Sequence, residues 1–399
     1  MRILVATTFH PVPPRDGMQL HLCALLSQLR KRHEIVLISP RPEHGNIDSA
    51  ALASLCHDHV ELPVADAVSL AARFSTELRT AFSGRSKVVD AVLRSALRKT
   101  VEHWVAAFNP DVLHLQSGAA AAIAPICGVP TVAVPLDADD LNSLARIEAA
   151  RSPSARWLAQ REAARFRHFE ASAYAQCDRV VVVTKRDAEA LQKLNGAIQA
   201  TIIPNGIDTI KFSPGPTQLS KPTIVFHGAM DYAPNVDAAR FLVEDILPLV
   251  KQRHPEARVV LAGRNPSTAV RALVSGDVDV TGELESVVPV IRDAAVYVCP
   301  MRVGSGIKNK LLEALACGQA IVSTPLATSG IAIKAGVHAL VEKDARSIAS
   351  AISDVLGNPQ LRRRLGQAAR ELAEQQSWAK CAEEFEAVYA EASAGNRIY

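Results

Sequence analysis

Short runs of branched apolar residues recur along the chain, and stretches with helical spacing separate them. Within each run the apolar positions are continuous rather than alternating, which predicts strands covered on both faces, as in parallel sheets with helices on each side. Twelve runs predict strands, and they span residues 2–8, 34–39, 111–116, 130–135, 179–184, 200–205, 222–228, 257–263, 278–282, 295–300, 320–324 and 339–343. One open sheet rarely holds so many strands. The pattern therefore predicts an α/β fold with two doubly wound domains.

The junction between the two sets of strands has the composition of turns and linkers. Asn205 and Gly206 form a turn signal, and residues 213–222 are rich in Pro, Gly and Ser. We therefore expect one domain over residues 1–204 and a second over residues 205–376.

The chain ends in a stretch with helical spacing. Trp378, Phe385 and Tyr389 recur at intervals that place them on one side of a helix, which predicts a last helix over residues 377–392.

Composition and charge narrow the function classes. The 399 residues are 48% hydrophobic and 21% charged, with a net charge of +3 that gives no indication of nucleic-acid binding. Seven scattered cysteines without a C-x-x-C pair predict a reduced, cytosolic chain without a zinc knuckle or a disulfide framework. The first apolar run is too short for a signal peptide. The uncharged window at 117–136 contains three prolines and two glycines, which favours buried α/β core over a membrane span.

The most informative segment follows the fourth predicted strand of the second domain and reads "PMRVGSGIKNKLLE", residues 300–313. Gly304 and Gly306 permit unusual backbone conformations, and a helix is expected to begin near Ile307. Lys308 and Lys310 place two cations at that helix N-terminus, which is unfavourable unless an anion binds there. The Walker A pattern and the third glycine of G-x-G-x-x-G are both absent. A phosphate site and a flexible turn with solvated lysines remain as alternatives.

Glu313 can be placed by the periodicity of the same helix. Ile307, Leu311 and Leu315 recur at i, i+4 and i+8, so this stripe is expected to face the sheet. Glu313 then lies roughly opposite, and it is expected either to be solvated or to face a cleft.

Taken together, "GSGIKNKLLEALACGQAIVSTP", "PTIVFHGAMDYAPNVDAARFL" and "IPNGID" resemble segments of the family 4 glycosyltransferases, specifically the bacterial sugar transferases. The match is good over residues 200–330 and looser in the first half, where "HPVPPRDGMQLHLCALLSQL" carries it. The resemblance implies a GT-B fold, in which two Rossmann-like domains face a central cleft. It also implies that the first domain binds the acceptor, that the second binds the donor, and that the last helix crosses back onto the first domain.

The resemblance implies a nucleotide-sugar site in the second domain. The family has two glutamates in an E-x7-E pattern, and the second corresponds to Glu313, which would accept hydrogen bonds from ribose hydroxyls. The first corresponds to Ser305, which is a departure from the family pattern. The backbone N–H groups of Gly306 and Ile307 would hold a phosphate, while Leu284, in the loop after the third strand, would pack against the base.

A second departure concerns the positive charges. Many family members carry an Arg and a Lys after the first strand of the second domain, whereas this chain reads "HGAMDYAPNVDA" from His227, with Gly228 at the turn. A diphosphate leaving group needs positive partners. Lys308 is therefore expected to be the first diphosphate partner and a catalytic residue, with Lys310 second.

The first domain supplies three further candidates by resemblance. Gly17 would let a helix N-terminus approach the diphosphate, although Asp16 could simply cap that helix. Gln116 stands where the family often has a histidine, and it could bind a sugar hydroxyl but not act as a base. Asp137 follows the next strand and would line the acceptor side. Gln116 and Asp137 are counted with Lys308 as the catalytic candidates.

A group of arginines surrounds Trp157, Phe166 and Phe169 between the predicted strands at 130–135 and 179–184. The arginines lie at positions 146, 151, 156, 161, 165 and 167, with acidic residues interspersed. This segment could contact an anionic acceptor or a membrane surface, or it could be a solvated helix face.

The resemblance implies transfer of a sugar from a nucleotide-diphosphate sugar, of UDP or GDP type, to a hydroxyl acceptor with retention of configuration. No cofactor and no metal is expected, because lysines and N–H groups would neutralise the diphosphate. We expect a monomer or homodimer in the cytoplasm, with peripheral contact to the inner membrane as one option. A non-catalytic nucleotide-sugar-binding subunit and a nucleotide-sugar epimerase are the alternatives.

Overall fold

Two parallel sheets organise the chain, one in each of two units. The computed structural model describes residues 1–42, 48–62, 86–126, 128–136, 147, 152–215, 222–304 and 306–395. The first unit comprises Met1–Pro204 together with Trp378–Tyr399, and the second comprises Asn205–Ser377. Every strand pair in both sheets is parallel, as the continuous apolar runs predict.

The first unit contains a seven-stranded sheet with the order β3-β2-β1-β4-β5-β6-β7. Its strands are β1 Arg2–Thr7, β2 Glu34–Pro40, β3 Asp58–Leu62, β4 Val112–Gln116, β5 Thr131–Leu136, β6 Arg179–Val182 and β7 Ala200–Ile202. Its helices are α1 Gly17–Leu29, α2 Ser49–Ala53, α3 Lys87–Arg94, α4 Leu97–Phe108, α5 Pro153–Ala173 and α6 Lys185–Leu194, with 3₁₀ segments at Ala119–Ile126 and Tyr174–Gln176.

The second unit contains a six-stranded sheet with the order β10-β9-β8-β11-β12-β13. Its strands are β8 Thr223–His227, β9 Arg258–Ala262, β10 Val278–Val280, β11 Val296–Cys299, β12 Ile321–Ser323 and β13 Leu340–Val341. Its helices are α7 Ala233–Arg240, which continues through a π segment at Phe241–Ile246 into α8 Leu247–Lys251, then α9 Thr268–Arg271, α10 Val288–Arg292, α11 Asn309–Ala316, α12 Ala345–Gly357 and α13 Pro359–Glu374.

Each of the twelve predicted runs contains a strand, and β3 is a strand that the pattern missed. Its sequence, DHVEL, has only two apolar residues, Val60 and Leu62, and it pairs with β2 alone at the end of the sheet. A strand at the edge of a sheet does not need the apolar run of a buried central strand. The described residues of the uncharged window at 117–136 include the 3₁₀ segment and β5, as expected of α/β core. Among the described residues no helix is both long and apolar enough to cross a bilayer.

The last helix, α14 Trp378–Gly395, packs on the first unit, far from its neighbours in sequence. Its Trp378 and Phe385 rings meet the ring of His21 of α1, with centroids 5.5 Å and 5.8 Å apart. Its Tyr389 hydroxyl is 2.7 Å from Nδ1 of His114 on β4. These aromatic contacts attach the end of the chain to α1 and to the centre of the first sheet.

The chain enters and leaves the second unit at adjacent positions. The backbone N–H of Ile207 donates to the carbonyl of Gln376 over 2.8 Å, and Ile207 forms a parallel bridge with Ser377. The two ends of the second unit are therefore held side by side by backbone hydrogen bonding.

Candidate functional site

The loop after β11 has the backbone that its glycines predict. Gly304 and Gly306 have φ values of +114° and +66°, a region that side chains with a Cβ seldom adopt. The helix that follows, α11, begins at Asn309 rather than near Ile307, and Lys308 is its N-cap without a side-chain capping bond. Ser305 lies outside the described residues. The loop thus leads to a helix start that its own N-cap side chain does not cap.

The two lysines of this loop are not solvated, so the interpretation of a turn with solvated lysines is wrong. Lys308 is buried, and its Nζ donates to the carbonyl of Gly306 over 2.7 Å. The Nζ of Lys310 donates to Oδ1 of Asn235 and lies 4.9 Å from the centroid of the Phe226 ring. Burial lowers the pKa of Lys310 to about 8, against smaller opposing effects from nearby acidic groups.

Lys310 lies against the turn that follows β8. A Cβ built on Gly228 would come within 2.9 Å of Lys310 Nζ and within 2.7 Å of Asn235 Nδ2. The Asn235 amide also donates to the carbonyl of Ala229 over 2.8 Å, so it joins the turn to the lysine. A side chain at Gly228 would therefore force the Asn235 amide or the Lys310 ammonium to shift, and the φ of +157° also favours glycine there.

Glu313 is bound to a histidine rather than solvated. Its Oε2 lies 2.6 Å from Nε2 of His227, the last residue of β8. Nδ1 of His227 lies 3.0 Å from the hydroxyl of Tyr297 on β11, and Tyr297 is fully buried. Burial raises the pKa of Tyr297 well above its ordinary value, so this hydroxyl keeps its proton. The Glu313 side chain remains 21% exposed.

The buried side of α11 is the side that the periodicity predicts. Leu311 and Leu315 are fully buried and Ile307 packs against the same core, which confirms the apolar stripe. Leu284 is half-buried in the segment after β10. The candidates of the second unit lie in segments that follow the carboxyl ends of strands, where open α/β sheets bind ligands. They are Lys308, Lys310, Glu313, Gly228 and the loop glycines Gly304 and Gly306.

Of the three candidates of the first unit, the structure describes Gly17 and Gln116. Gly17 is the first residue of α1, and the side chain of Asp16 accepts from the N–H of Gln19 in a capping box, so Asp16 caps the helix. Gln116 is fully buried: its Oε1 lies 2.9 Å from Nε2 of His114 and its Nε2 donates to the carbonyl of Val134 over 3.3 Å. These bonds explain Gln116 without a sugar. Asp137 lies outside the described residues.

The described part of the arginine-rich segment forms α5, and Arg146 and Arg151 lie outside the described residues. Its first turns expose two large apolar side chains, Trp157 at 54% and Leu158 at 60%. The guanidinium of Arg161 lies over the Trp157 ring, with Cζ 4.7 Å from the centroid. The helix therefore presents apolar and cationic groups together on an exposed surface.

The chemistry of the second-unit site favours an anionic ligand. Lys308, the N-cap, and Lys310, in the first turn of α11, bring two ammonium groups to one helix N-terminus, and Lys310 lies against the turn after β8. Within the described ranges, no group of three or more His, Cys, Asp or Glu residues could hold a metal ion. Asn235 and Tyr297 are site residues that the sequence did not indicate, and His227, the possible positive residue after the first strand of this unit, is bound to Glu313.

Comparisons with known proteins agree with this geometry. Residues 15–211 match the family "Glycosyltransferase Family 4", and residues 221–358 match "Glycosyl transferases group 1". A phosphatidyl-myo-inositol mannosyltransferase of Mycobacterium tuberculosis strain H37Rv is 29% identical over 209 residues, which are 48% of this chain and 53% of that protein. A phosphatidyl-myo-inositol mannosyltransferase of Mycobacterium leprae is 26% identical over 211 residues, which are 50% of this chain and 56% of that protein. The chain thus spans about half the length of the curated relatives it matches.

Solved structures resemble nearly the whole chain. Sucrose-phosphate synthase from Thermosynechococcus elongatus superposes with a TM-score of 0.70 at 16% identity, covering 99% of this chain and 100% of that chain. Anabaena Alr3699/HepE in complex with UDP and glucose has a TM-score of 0.65 at 12% identity, covering 97% and 99%. At these identities the likeness establishes the fold.

Proposed function

Because this chain belongs to the family 4 glycosyltransferases of the GT-B fold, we propose that it transfers a sugar from a nucleotide-diphosphate sugar to a hydroxyl acceptor with retention of configuration. The observation that carries the proposal is the placement of Lys308 and Lys310 at the glycine loop, with Glu313 five residues after Lys308 on the same helix. This arrangement suits a ligand that has both a diphosphate and a ribose.

Lys310 is the better candidate for the diphosphate partner, which reverses the order expected from the sequence. Its ammonium lies against Gly228 and Asn235, in the segment where many family members carry an Arg and a Lys. Lys308 instead donates to the loop carbonyl of Gly306. We therefore assign Lys310 to the diphosphate and Lys308 to the adjacent loop, where it holds the N–H groups of the helix start in place.

The chemical contribution of this site is charge stabilisation. When the bond between sugar and phosphate breaks, negative charge accumulates on the leaving diphosphate, and ammonium and N–H groups held in a partly desolvated place stabilise that charge strongly. A leaving phosphate can also take the acceptor's proton, so a retaining transfer needs no strong base at Gln116. The site residues of this proposal require no metal ion.

The acceptor is inferred from the curated relatives and from α5. The mycobacterial proteins are named as phosphatidyl-myo-inositol mannosyltransferases, and we propose a hydroxyl acceptor that is lipid-linked or saccharide, used at the cytoplasmic face of a membrane. Trp157, Leu158 and Arg161 would contact that surface, since exposed apolar and cationic groups together favour anionic lipid. Sedimentation with anionic and neutral vesicles tests this, and equal binding of wild-type protein and Trp157→Ala would refute it.

The donor is tested by nucleotide binding. A thermal-shift screen with UDP, GDP, ADP and TDP should show stabilisation by UDP or GDP, because a ligand that binds only the native state raises its stability. The protein is then incubated, without an acceptor, with nucleotide sugars that contain the nucleotide it binds. Slow release of sugar indicates a transferase, an isomerised nucleotide sugar indicates an epimerase, and binding without turnover indicates a non-catalytic subunit. Lack of stabilisation by all four nucleotides would refute the proposed function.

A further inference from the structure

Three polar side chains connect two strands and one helix of the second unit in a single hydrogen-bonded row. The row runs from the hydroxyl of Tyr297 on β11, through the ring of His227 on β8, to the carboxylate of Glu313 on α11. Tyr297 is fully buried and His227 is 4% exposed, whereas the Glu313 side chain is 21% exposed. The row therefore begins in the core and ends at a carboxylate that solvent can reach.

Only one arrangement of protons satisfies every member of the row when His227 is neutral. The carboxylate can only accept, so Nε2 of His227 carries the proton and donates to it. Nδ1 is then an acceptor, and the Tyr297 hydroxyl, which keeps its proton, donates to it. Tyr297 thereby selects the tautomer of His227 that suits Glu313.

This bonding leaves Glu313 able to bind a ligand in a fixed orientation. An ionised carboxylate has room for about four hydrogen bonds, and His227 uses one of them. A glutamate without such a partner has several freely rotating bonds, and ordering them on binding reduces affinity. A carboxylate already held on one side can accept two neighbouring hydroxyls with little further ordering.

We infer that His227 is a positioning residue, which Tyr297 keeps in the required tautomer, and that it holds Glu313 ready for the two ribose hydroxyls of the nucleotide. This inference rests on the proposed function. Its consequence is a specificity: the site distinguishes ribonucleotides from deoxyribonucleotides, and it does so through a histidine that does not touch the ligand.

The test compares the affinities of ribonucleotide and deoxyribonucleotide pairs by isothermal titration calorimetry. The probes are UDP with 2′-deoxy-UDP and GDP with 2′-deoxy-GDP, and the measured quantity is the ratio of their dissociation constants. Hydrogen bonds to charged groups are strong enough that removing one hydroxyl should weaken wild-type binding by roughly ten- to a hundredfold. The full-length protein is used throughout.

The variants separate positioning from mere packing. His227→Leu removes the donor, His227→Gln retains an N–H that can reach Glu313, and Tyr297→Phe removes only the hydroxyl. Glu313→Gln removes the charge and is combined with His227→Leu to measure coupling. His254→Gln is the matched control, because His254 also lies in the second unit, where its ring bonds to the carbonyl of Ser353.

Each variant is expected to change the ratio of the two dissociation constants in its own way. His227→Leu and Glu313→Gln should each bring the affinity ratio close to one while binding of the diphosphate persists, and the double variant should add little. His227→Gln should restore most of the discrimination, Tyr297→Phe should lower it in part, and His254→Gln should leave it unchanged. Thermal unfolding verifies that each variant is folded.

Failure of the proposed function and failure of the positioning role of His227 would give different results. If wild-type protein binds none of the four probes, the proposed function falls and this inference with it. If wild-type protein binds them without discrimination, or if His227→Leu and Tyr297→Phe both keep the wild-type ratio, the positioning role is refuted while nucleotide binding stands. Loss of ribonucleotide and deoxyribonucleotide affinity by equal factors in His227→Leu would also refute it, because that result indicates a general structural role.

Discussion

His21 is predicted to make the first unit sensitive to acid, and replacing it by Phe should remove part of that sensitivity. His21 is 1% exposed, and neither of its ring nitrogens has a hydrogen-bond partner among the residues that the structure describes. Burial, with a smaller contribution from His114, lowers its pKa from 6.5 to about 3. The folded protein therefore keeps His21 neutral at pH values where the unfolded chain protonates it.

The magnitude follows from the linkage between protonation and folding. Stability from a base with a depressed pKa is fully present above pH 6.5 and is lost as the pH falls, because the unfolded state binds the extra proton. Between pH 6.5 and pH 4, at about 1.4 kcal/mol per pH unit, His21 should remove about 3 kcal/mol of unfolding free energy. This loss is large beside a typical total of roughly 5–15 kcal/mol.

The assay is urea unfolding of wild-type protein and His21→Phe at pH 7, 6, 5 and 4, followed by tryptophan fluorescence. Trp378 is a built-in probe, since its ring centroid lies 5.5 Å from that of His21. The free-energy difference between the two proteins should change by about 3 kcal/mol from pH 7 to pH 4 in favour of the variant. The surface variant His103→Phe should keep the wild-type pH dependence. A difference between wild type and His21→Phe that is constant with pH would refute the reasoning.

Three further predictions concern the second unit. Because the pKa of Lys310 is about 8, affinity for the stabilising nucleoside diphosphate should fall roughly tenfold from pH 7.5 to pH 9 by calorimetry, while Lys310→Arg should lack this decline; a flat wild-type profile would contradict the assignment. Lys308→Ala should weaken binding roughly tenfold, because it removes the buried hydrogen bond to the Gly306 carbonyl that holds the loop in place, and unchanged affinity would exclude Lys308 from the site. Gly228→Ala should lower the unfolding free energy by about 1–3 kcal/mol in urea, because its Cβ meets Asn235. Gly276→Ala, whose Cβ meets open space, is its control; equal effects of the two would contradict the packing argument.

The strands could be predicted because burial on both faces leaves a direct trace in sequence. Every central strand reads as a continuous apolar run, and each of these runs was recognised. β3 leaves no such trace, since an edge strand with the sequence DHVEL satisfies its hydrogen bonds from one neighbour and needs few apolar residues.

The site was predictable in its backbone and not in its side-chain partners. Glycine spacing indicated the unusual loop, and the apolar stripe indicated which side of α11 is buried. The direction of each lysine depends on the path of the loop through Gly304 and Gly306, which brings Lys310, rather than Lys308, to the turn after β8. The pairing of His227 with Glu313 joins positions 86 residues apart, and nothing local in either segment encodes it.

The adjacent entry and exit of the second unit constrain how such genes can recombine. A single exchange near residue 204 would import a foreign second unit together with a foreign last helix, and that helix would have to fit the rings of His21 and His114 of the resident first unit. An exchange with two breakpoints, near 204 and near 377, would replace the second unit alone and leave that aromatic interface intact. Chimaeras made to alter donor choice should therefore be cut twice, and lineages in which donor specificity has changed by recombination should carry breakpoints at both places.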